Sequence, residues 1–345
     1  MIQNRNIEEN KSLKPYNTFG VDVKAQYFFD ARTVDDLLWI VHHELYELPK
    51  LILGGGSNML LTEDFEGLVL KISLTVKWVE KSDGNKTLVS VMAGENWHEF
   101  VLWTLKNGLG GLENLSLIPG NVGSAPIQNI GAYGVEMKDT FHHLEALNTT
   151  TGEFEIFTKK ECNFGYRDSY FKRKGKGAYI ITRVFFELTN KDHKLDTRYG
   201  AIEEEIDRLG HDRNIYSISE AVCNIRSSKL PDPKVLGNSG SFFKNPVVPQ
   251  IHFDKLKEKF PEIVAYPAPS NSVKLAAGWM IDKAGWKGFR RGDAGVHEKQ
   301  ALVLVNHGNV TGKEIVTLAM DIKKSVKEIF GVDLRPEVNI IGSVH

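Results

Sequence analysis

The stretch that most constrains this chain is 116–134, which reads S-L-I-P-G-N-V-G-S-A-P-I-Q-N-I-G-A-Y-G. It holds four glycines and two prolines, together with Leu117, Ile118, Val122, Ile127 and Ile130. Surface loops are ordinarily polar. A loop rich in both glycine and aliphatic residues is expected to be buried, with its backbone pressed against something flat or charged. Glycine permits that approach because it lacks a Cβ and can take positive φ. Gly123, Ser124 and Ala125 are expected to leave their peptide N–H groups uncovered, as a bound phosphate or ring system would need. Two readings stand side by side here: a tightly packed turn between strands, and a cofactor cradle.

At 345 residues the chain can form two or three domains with substantial cores. Its 43 basic and 44 acidic residues leave a formal net charge of −1, so neither nucleic acid nor a membrane surface is expected as a partner. The basic run Lys172-Arg173-Lys174-Gly175-Lys176 is expected at a solvated hairpin tip. The two cysteines, Cys162 and Cys223, show no CxxC pair and no metal-ligand spacing. That usage fits a reducing compartment and excludes a disulfide scaffold; no metal site is expected. The first dozen residues lack the apolar core of a signal peptide, and no run approaches a membrane span. The expected location is the cytoplasm.

Taken in order, the pattern predicts a strand at 27–29 and a helix opened by the capping box Thr33-Val34-Asp35-Asp36. A short buried strand at 51–53 runs into Gly54-Gly55-Gly56-Ser57-Asn58. That loop is neither G-x-G-x-x-G nor a Walker sequence. It could still form a nest of N–H groups for a pyrophosphate, or be a plain turn. Strands are expected at 68–72, 88–92, 144–147, 154–157 and, most clearly, 179–188. Asn96 is expected to cap a helix through Leu105 that closes at Gly108. The polar segment 190–216 reads as a domain boundary. Helices are expected at 274–283 and 314–330, the latter opened by Thr311-x-x-Glu314 with Ile315, Leu318, Ile322 and Ile329 on one face. A last strand is expected at 338–341.

Nothing resembles a hydrolytic triad or a zinc motif. The adjacent pairs His42-His43 and His142-His143 are expected to be surface or packing residues, and His297 a better lining candidate. Three residues sit in unusual local settings. Arg167 lies between Tyr166 and Asp168, where a structural ion pair is the simplest account. Ser241 lies between Gly240 and Phe242, where a hydroxyl can be only a turn former. Glu337 follows a proline at the start of an apolar strand, where a carboxylate calls for a partner or a function.

Six motifs then occur in order: Leu13-Lys14-Pro15-Tyr16-Asn17-Thr18-Phe19-Gly20, Gly54-Gly55-Gly56-Ser57-Asn58, Ile118-Pro119-Gly120-Asn121-Val122-Gly123, Gly165-Tyr166-Arg167-Asp168-Ser169, Gly240-Ser241-Phe242-Phe243-Lys244-Asn245-Pro246 and Pro336-Glu337-Val338. Together they resemble the UDP-N-acetylenolpyruvoylglucosamine reductase family over about 13–342. Arg198-Tyr199-Gly200 is similar to the tyrosine-bearing insertion of one type within it. The resemblance implies an α+β chain: an FAD-binding fold of the vanillyl-alcohol-oxidase/p-cresol-methylhydroxylase type, made of two α/β subdomains, and a C-terminal α+β substrate domain. The implied boundaries are 1–77 joined by the strand 335–345, then 78–216 with the Tyr199 insertion, then 217–334.

The implied activity is NADPH-dependent reduction of the enolpyruvyl group of UDP-N-acetylenolpyruvoylglucosamine to UDP-N-acetylmuramate through FAD. This reaction belongs to peptidoglycan precursor synthesis, and so to cell shape and division. A monomer is expected, with small-molecule partners alone. The resemblance assigns Gly54, Gly55, Gly56, Ser57, Asn58, Pro119, Gly120, Gly123, Ser124, Gln128, Asn129, Gly131, Ala132, Tyr133 and Gly134 to the flavin. It assigns Tyr166, Tyr199, Lys229, Asn245, Tyr266 and Gln300 to the sugar nucleotide. Arg167 would grip the carboxylate on which charge develops. Glu337, protonated in a buried position, would donate a further hydrogen bond, and Ser241 would protonate the neighbouring carbon. Two rivals remain: an oxygen-using oxidase on the same flavin fold, and a non-catalytic binder of UDP-sugars.

Overall fold

The computed structural model describes residues 5–343, which fall into two compact units interleaved along the chain. The first contains 5–11, Ala25–Gly55 and Glu66–Ser228; the second contains Ser12–Lys24, Gly56–Phe65 and 229–343.

The first unit holds two large sheets. One has the strand order Glu8–Ser12, Lys24–Ala31, Phe65–Ile72, Lys50–Leu53. The last two strands run parallel, and Lys50–Leu53 delivers the chain directly into the Gly54 loop. The helix Val34–Val41 starts where the sequence predicts. The Asp36 N–H donates to Thr33 Oγ1 at 3.1 Å and the Thr33 N–H donates to Asp36 Oδ2 at 2.9 Å, so two orphan donors of the first turn are satisfied. Leu37 and Ile40 then bury against Leu68 and Leu70 of the sheet.

The other sheet is antiparallel, ordered Phe154–Thr158, Phe141–Asn148, Tyr179–Thr189, Lys86–Met92, Lys77–Asp83. Its central strand reads as a near-continuous apolar run because both faces are covered. Val184, Phe186 and Leu188 pack with Trp97 and Phe100 of the helix Trp97–Lys106, while Ile180 belongs to the core around Phe29. Asn96 caps that helix as expected, its Oδ1 accepting the Glu99 N–H at 3.0 Å.

Segment 190–216 carries the helix Gly200–Leu209, whose Ile202 and Ile206 bury against Ile218 and Val222 of the helix Ile215–Lys229. Two isoleucines four apart are enough to dock a helix that is otherwise charged. One expectation needs correction here. The basic run 172–176 is no hairpin tip: Tyr170–Lys172 is a 3-10 turn, and Arg173 folds back to pair with Asp168.

In the second unit a four-stranded antiparallel sheet is ordered Gly237–Ser241, Val303–Asn306, Ala294–Val296, Arg290–Arg291. The segment 274–283, expected as one helix, is the end of the strand Ser272–Leu275 followed by the helix Ala277–Lys283. Lys274 is taken by the sheet because it lies opposite both Tyr266 and Val247. The helix Gly312–Phe330 opens with the expected Thr311–Glu314 capping box and buries Ile315, Leu318 and Ile322. Ile329 is 41% exposed, and Val326 and Phe330 take the buried positions instead. The strand Asn339–Ile341 runs parallel to Met59–Leu61 and anchors the far end of the chain beside the Gly54 loop's exit.

Among the described residues no helix is long and apolar enough to cross a membrane, and no group of three His, Cys, Asp or Glu could hold a metal ion. Cys162 is buried, and burial pushes its thiol up to about 12, which leaves it unfit as a nucleophile.

Candidate active site

Two glycine loops meet in the first unit. Gly55 packs backbone to backbone on Gly120: a Cβ on Gly55 would lie 2.7 Å from Gly120 Cα and 2.9 Å from Asn121 Oδ1. Gly123 presses on Ala93, where a Cβ would come within 2.5 Å of the alanine Cβ. The seam is closed by the Trp97 N–H donating to Gly120 O at 3.0 Å and Asn121 Nδ2 donating to Gly94 O at 2.9 Å. In the second unit Gly56 takes φ 62° and its carbonyl accepts the Thr18 N–H at 3.0 Å. The carbonyl of Asn58 accepts two donors from Asn339, at 3.1 and 2.9 Å.

The peptide groups of the second loop are used differently from the sequence expectation. The Gly123 N–H donates to Ala93 O at 2.9 Å, the Ser124 N–H to Asn121 O at 3.1 Å and the Ala125 N–H to Val122 O at 3.1 Å. The 3-10 turn Val122–Ser124 consumes the donors that a bound anion would have used. The glycines here serve close packing. Gly55 and Gly123 thus bring the two loops and Ala93 into backbone contact that no side chain would allow. Further along, Gly131–Ala132 pairs with Val135–Glu136 around a two-residue turn in which Tyr133 has φ 52° and Gly134 φ 85°. Positive φ at both positions is the type I′ signature, and the turn places Tyr133 edge-on to Tyr199 at 5.0 Å.

Arg167 stands beside this hairpin. Its own backbone is left-handed, with φ 54°, and its Nη2 donates to Gly131 O at 2.6 Å. Asp168 forms its ion pair with Arg173, so the neighbour expected to pair with Arg167 is neutralised from the other side. Tyr166 is exposed, its ring centroid 5.4 Å from the Arg167 guanidinium carbon.

Arg226 was missed by sequence reasoning. Its Nε donates to Leu117 O at 3.1 Å, and it bonds the Tyr133 hydroxyl. Burial disfavours its charge, Tyr133 counters that cost, and the nearby Arg167 adds to it. A signal was present. Ser219, Val222, Cys223 and Arg226 follow the i, i+3, i+4, i+7 spacing of one helix face, and Ser219 Oγ lies 2.7 Å from Ser116 Oγ at the start of the glycine loop.

The second unit holds Ser241 and Glu337 on adjacent segments. The Glu337 N–H donates to Phe242 O at 2.8 Å, and Phe243 bridges Pro336. Gly240, at φ 68°, sits in a register break between Asn238 and Ser241 against the strand Val303–Asn306. Such a bulge re-aims the side chain that follows, and the buried Phe242 and Phe243 lock the strand beyond it. Glu337 is half-buried.

A cavity of about 260 Å³ in this unit is lined by Asn245, Tyr266 and Gln300, three of the expected substrate residues. Its wall also includes Trp279, Lys299 and the ion pair of Asp282 with Lys287, at 2.7 Å, none of them anticipated. Asn245 Oδ1 accepts the Ala277 N–H at 2.9 Å and Gln300 Oε1 accepts the Leu302 N–H at 3.4 Å. Both carboxamides are thereby oriented by their oxygens, which leaves their NH₂ groups as the available donors. Lys229 is exposed and lies outside the cavity wall; Tyr199 and Tyr166 belong to the first unit.

Comparison with known proteins places these features in context. The family model described as an FAD binding domain matches residues 25–158. The model described as the C-terminal domain of UDP-N-acetylenolpyruvoylglucosamine reductase matches 232–341. The UDP-N-acetylenolpyruvoylglucosamine reductase of Flavobacterium johnsoniae is 52% identical over 336 residues, covering 97% of this chain and 99% of that protein. Among solved structures, the UDP-N-acetylenolpyruvylglucosamine reductase of Thermus caldophilus is 26% identical with a TM-score of 0.66, covering 98% of this chain and 99% of the other. A solvent-stable cholesterol oxidase, 11% identical with a TM-score of 0.50, covers 96% of this chain and 87% of its own and shares the fold alone. The fold class is the FAD-binding α+β arrangement that the six motifs implied. With identity of this level over nearly the whole of both chains, this protein belongs to the UDP-N-acetylenolpyruvoylglucosamine reductase family.

Proposed function

We propose that the chain reduces the enolpyruvyl group of UDP-N-acetylenolpyruvoylglucosamine to the lactyl ether of UDP-N-acetylmuramate, taking hydride from NADPH by way of FAD. The observation that carries this reading is Arg167, a guanidinium held on the backbone of the glycine loop while Arg173 neutralises its acidic neighbour. When bound, the flavin supplies a two-electron carrier that accepts hydride from the nicotinamide and passes it to the terminal vinyl carbon. The loops of Gly54, Gly55 and Gly120, packed on one another at Gly55, would hold it.

This chain's own residues then manage the charge and the proton. As the terminal carbon gains hydride, the electron pair of the double bond moves to the oxygen-bearing carbon and into the carboxylate. Arg167 is the group suited to receive that charge, because its planar fork of donors matches a carboxylate. Glu337, in its protonated form, would donate a further hydrogen bond to the same enolate. Ser241 Oγ gives its proton to the oxygen-bearing carbon and is reprotonated from solvent, which closes the balance of one hydride and one proton. Asn245, Tyr266 and Gln300 hold the uridine end through the donors facing their cavity. Synthesis of a cell-wall sugar, and a cytoplasmic location, follow from that substrate.

The reading is tested by incubating the protein with NADPH and the enolpyruvyl UDP-sugar in the absence of oxygen. The expected result is one NADPH oxidised for each product molecule formed, the product being heavier than the substrate by two hydrogen atoms. NADPH oxidation that needs oxygen and leaves the sugar nucleotide unchanged would contradict it.

A further inference from the structure

The loop that carries Arg167 is fastened to the glycine loop at three alternating positions. Ser169 Oγ donates to Ile127 O at 2.7 Å, Asn129 Nδ2 donates to Gly165 O at 3.0 Å, and Arg167 Nη2 donates to Gly131 O at 2.6 Å. The first two tethers are made by side chains with no exposure at all: Asn129 and Ser169 are both 0% accessible. Asn129 also accepts the Lys138 N–H on Oδ1 at 3.1 Å, so both ends of its carboxamide are engaged by the protein. Its backbone is left-handed, at φ 43°, a conformation asparagine tolerates better than most residues. Arg167 is left-handed too, and it is brought close to a second cation, Arg226. A left-handed non-glycine backbone and a neighbouring cation both add to the cost of this arrangement. Lys172 Nζ donates to Arg167 O at 3.1 Å, and Gly165 and Asp168 bond each other within the loop. The two buried tethers are the side-chain bonds that join the loop to the glycine loop beside Arg167's own.

We propose that Asn129 and Ser169 are positioning residues for Arg167: they clamp its loop to the glycine loop and fix the guanidinium where the substrate carboxylate must arrive. Asn129, which the family resemblance places among cofactor contacts, acts with its side chain on the substrate side of the chemistry. The proposal rests on the reading of Arg167 as the carboxylate-binding group. Its loss is felt as misplacement of one charged group by a fraction of an ångström to an ångström, which is enough to cost about a hundredfold in an oriented reaction.

The test uses the flavin-loaded protein and two ligands measured by calorimetry: UDP-N-acetylmuramate, which carries the carboxylate, and UDP, which does not. In Ser169→Ala the affinity for UDP-N-acetylmuramate is expected to fall by about tenfold, while that for UDP stays within about twofold. Reoxidation of the reduced flavin by the enolpyruvyl sugar slows by about tenfold to a hundredfold, and bleaching by NADPH is unchanged. In an Arg167→Lys background, Ser169→Ala adds nothing further to either loss. Ser169→Cys, which fills the same space with a far weaker donor, reproduces the pattern should Ser169→Ala not fold. Equal loss of UDP and UDP-N-acetylmuramate affinity, or losses that add fully to those of Arg167→Lys, would overturn the clamp and leave the reading of Arg167 intact. An Arg167→Lys variant that binds UDP-N-acetylmuramate and reacts like the natural protein would remove that reading and the clamp with it.

Discussion

Replacing Ser241 with alanine will leave bleaching of the flavin by NADPH within about twofold of the natural protein, yet slow the return of colour on adding the enolpyruvyl UDP-sugar by about a hundredfold or more. The split follows from where the hydroxyl acts. Only the second half-reaction needs a proton at carbon, and a positioned general acid is worth about 10² to 10⁴ in rate. The substitution is otherwise quiet. Ser241 is half-buried at the end of the strand Gly237–Ser241, its backbone register with Val303 needs no side chain, and Phe242 and Phe243 keep the strand locked. Stopped-flow absorbance measured separately for the two half-reactions checks it. Equal slowing of both would show that Ser241 serves the fold or the flavin rather than the proton.

The second large effect is expected at Gly55→Ala, which should yield protein that loses its flavin on dilution. Gly55 does not need glycine for its dihedral angles, since its φ is not positive. It needs glycine for space. The added methyl would stand 2.7 Å from the backbone of Gly120 and 2.9 Å from Asn121 Oδ1, and neither side can yield without moving a loop. Overpacking of this kind costs roughly 1–3 kcal/mol, equivalent to roughly ten- to a hundredfold in flavin affinity if the bound state bears it all. Gly200→Ala is the control. It has open space around it and opens a helix, so it should retain flavin fully and be slightly more stable. Flavin content after gel filtration reads the difference. Full retention by Gly55→Ala would mean that the seam between the two loops is no part of the cofactor cradle.

What could be read in advance divides along a physical line. Local signals were legible: the boxes at Thr33 and Thr311, the cap at Asn96 and the apolar strand Tyr179–Thr189 each follow from a few neighbouring residues. What depended on distant partners was not. The N–H groups of Gly123, Ser124 and Ala125 looked available because the sequence gives no hint that Ala93, Asn121 and Val122 would take them. Lys274 sat in a helical pattern until strands on both sides claimed it. Asp168 looked like the partner of Arg167 because it is adjacent, but a left-handed residue turns the side chain away and Arg173 fills the place. The clamp of Asn129 and Ser169 joins positions 36 and 42 residues from their acceptors, beyond any periodicity a single sequence can display. Arg226 lies between these cases. Its helical spacing marks it as a charge on an apolar face, and that spacing is a usable clue to a buried role.

The most direct test of the proposed function is an anaerobic titration of the purified protein, followed at the visible flavin band. NADPH is added until the band is bleached, and the enolpyruvyl UDP-sugar is then added in measured portions. The proposed function predicts that the sugar restores the colour one equivalent for one equivalent of flavin, with UDP-N-acetylmuramate formed in the same amount. Colour restored only when oxygen is admitted would make the protein an oxidase on the same fold, and a protein that carries no flavin at all while binding UDP-sugars would make it a binding module.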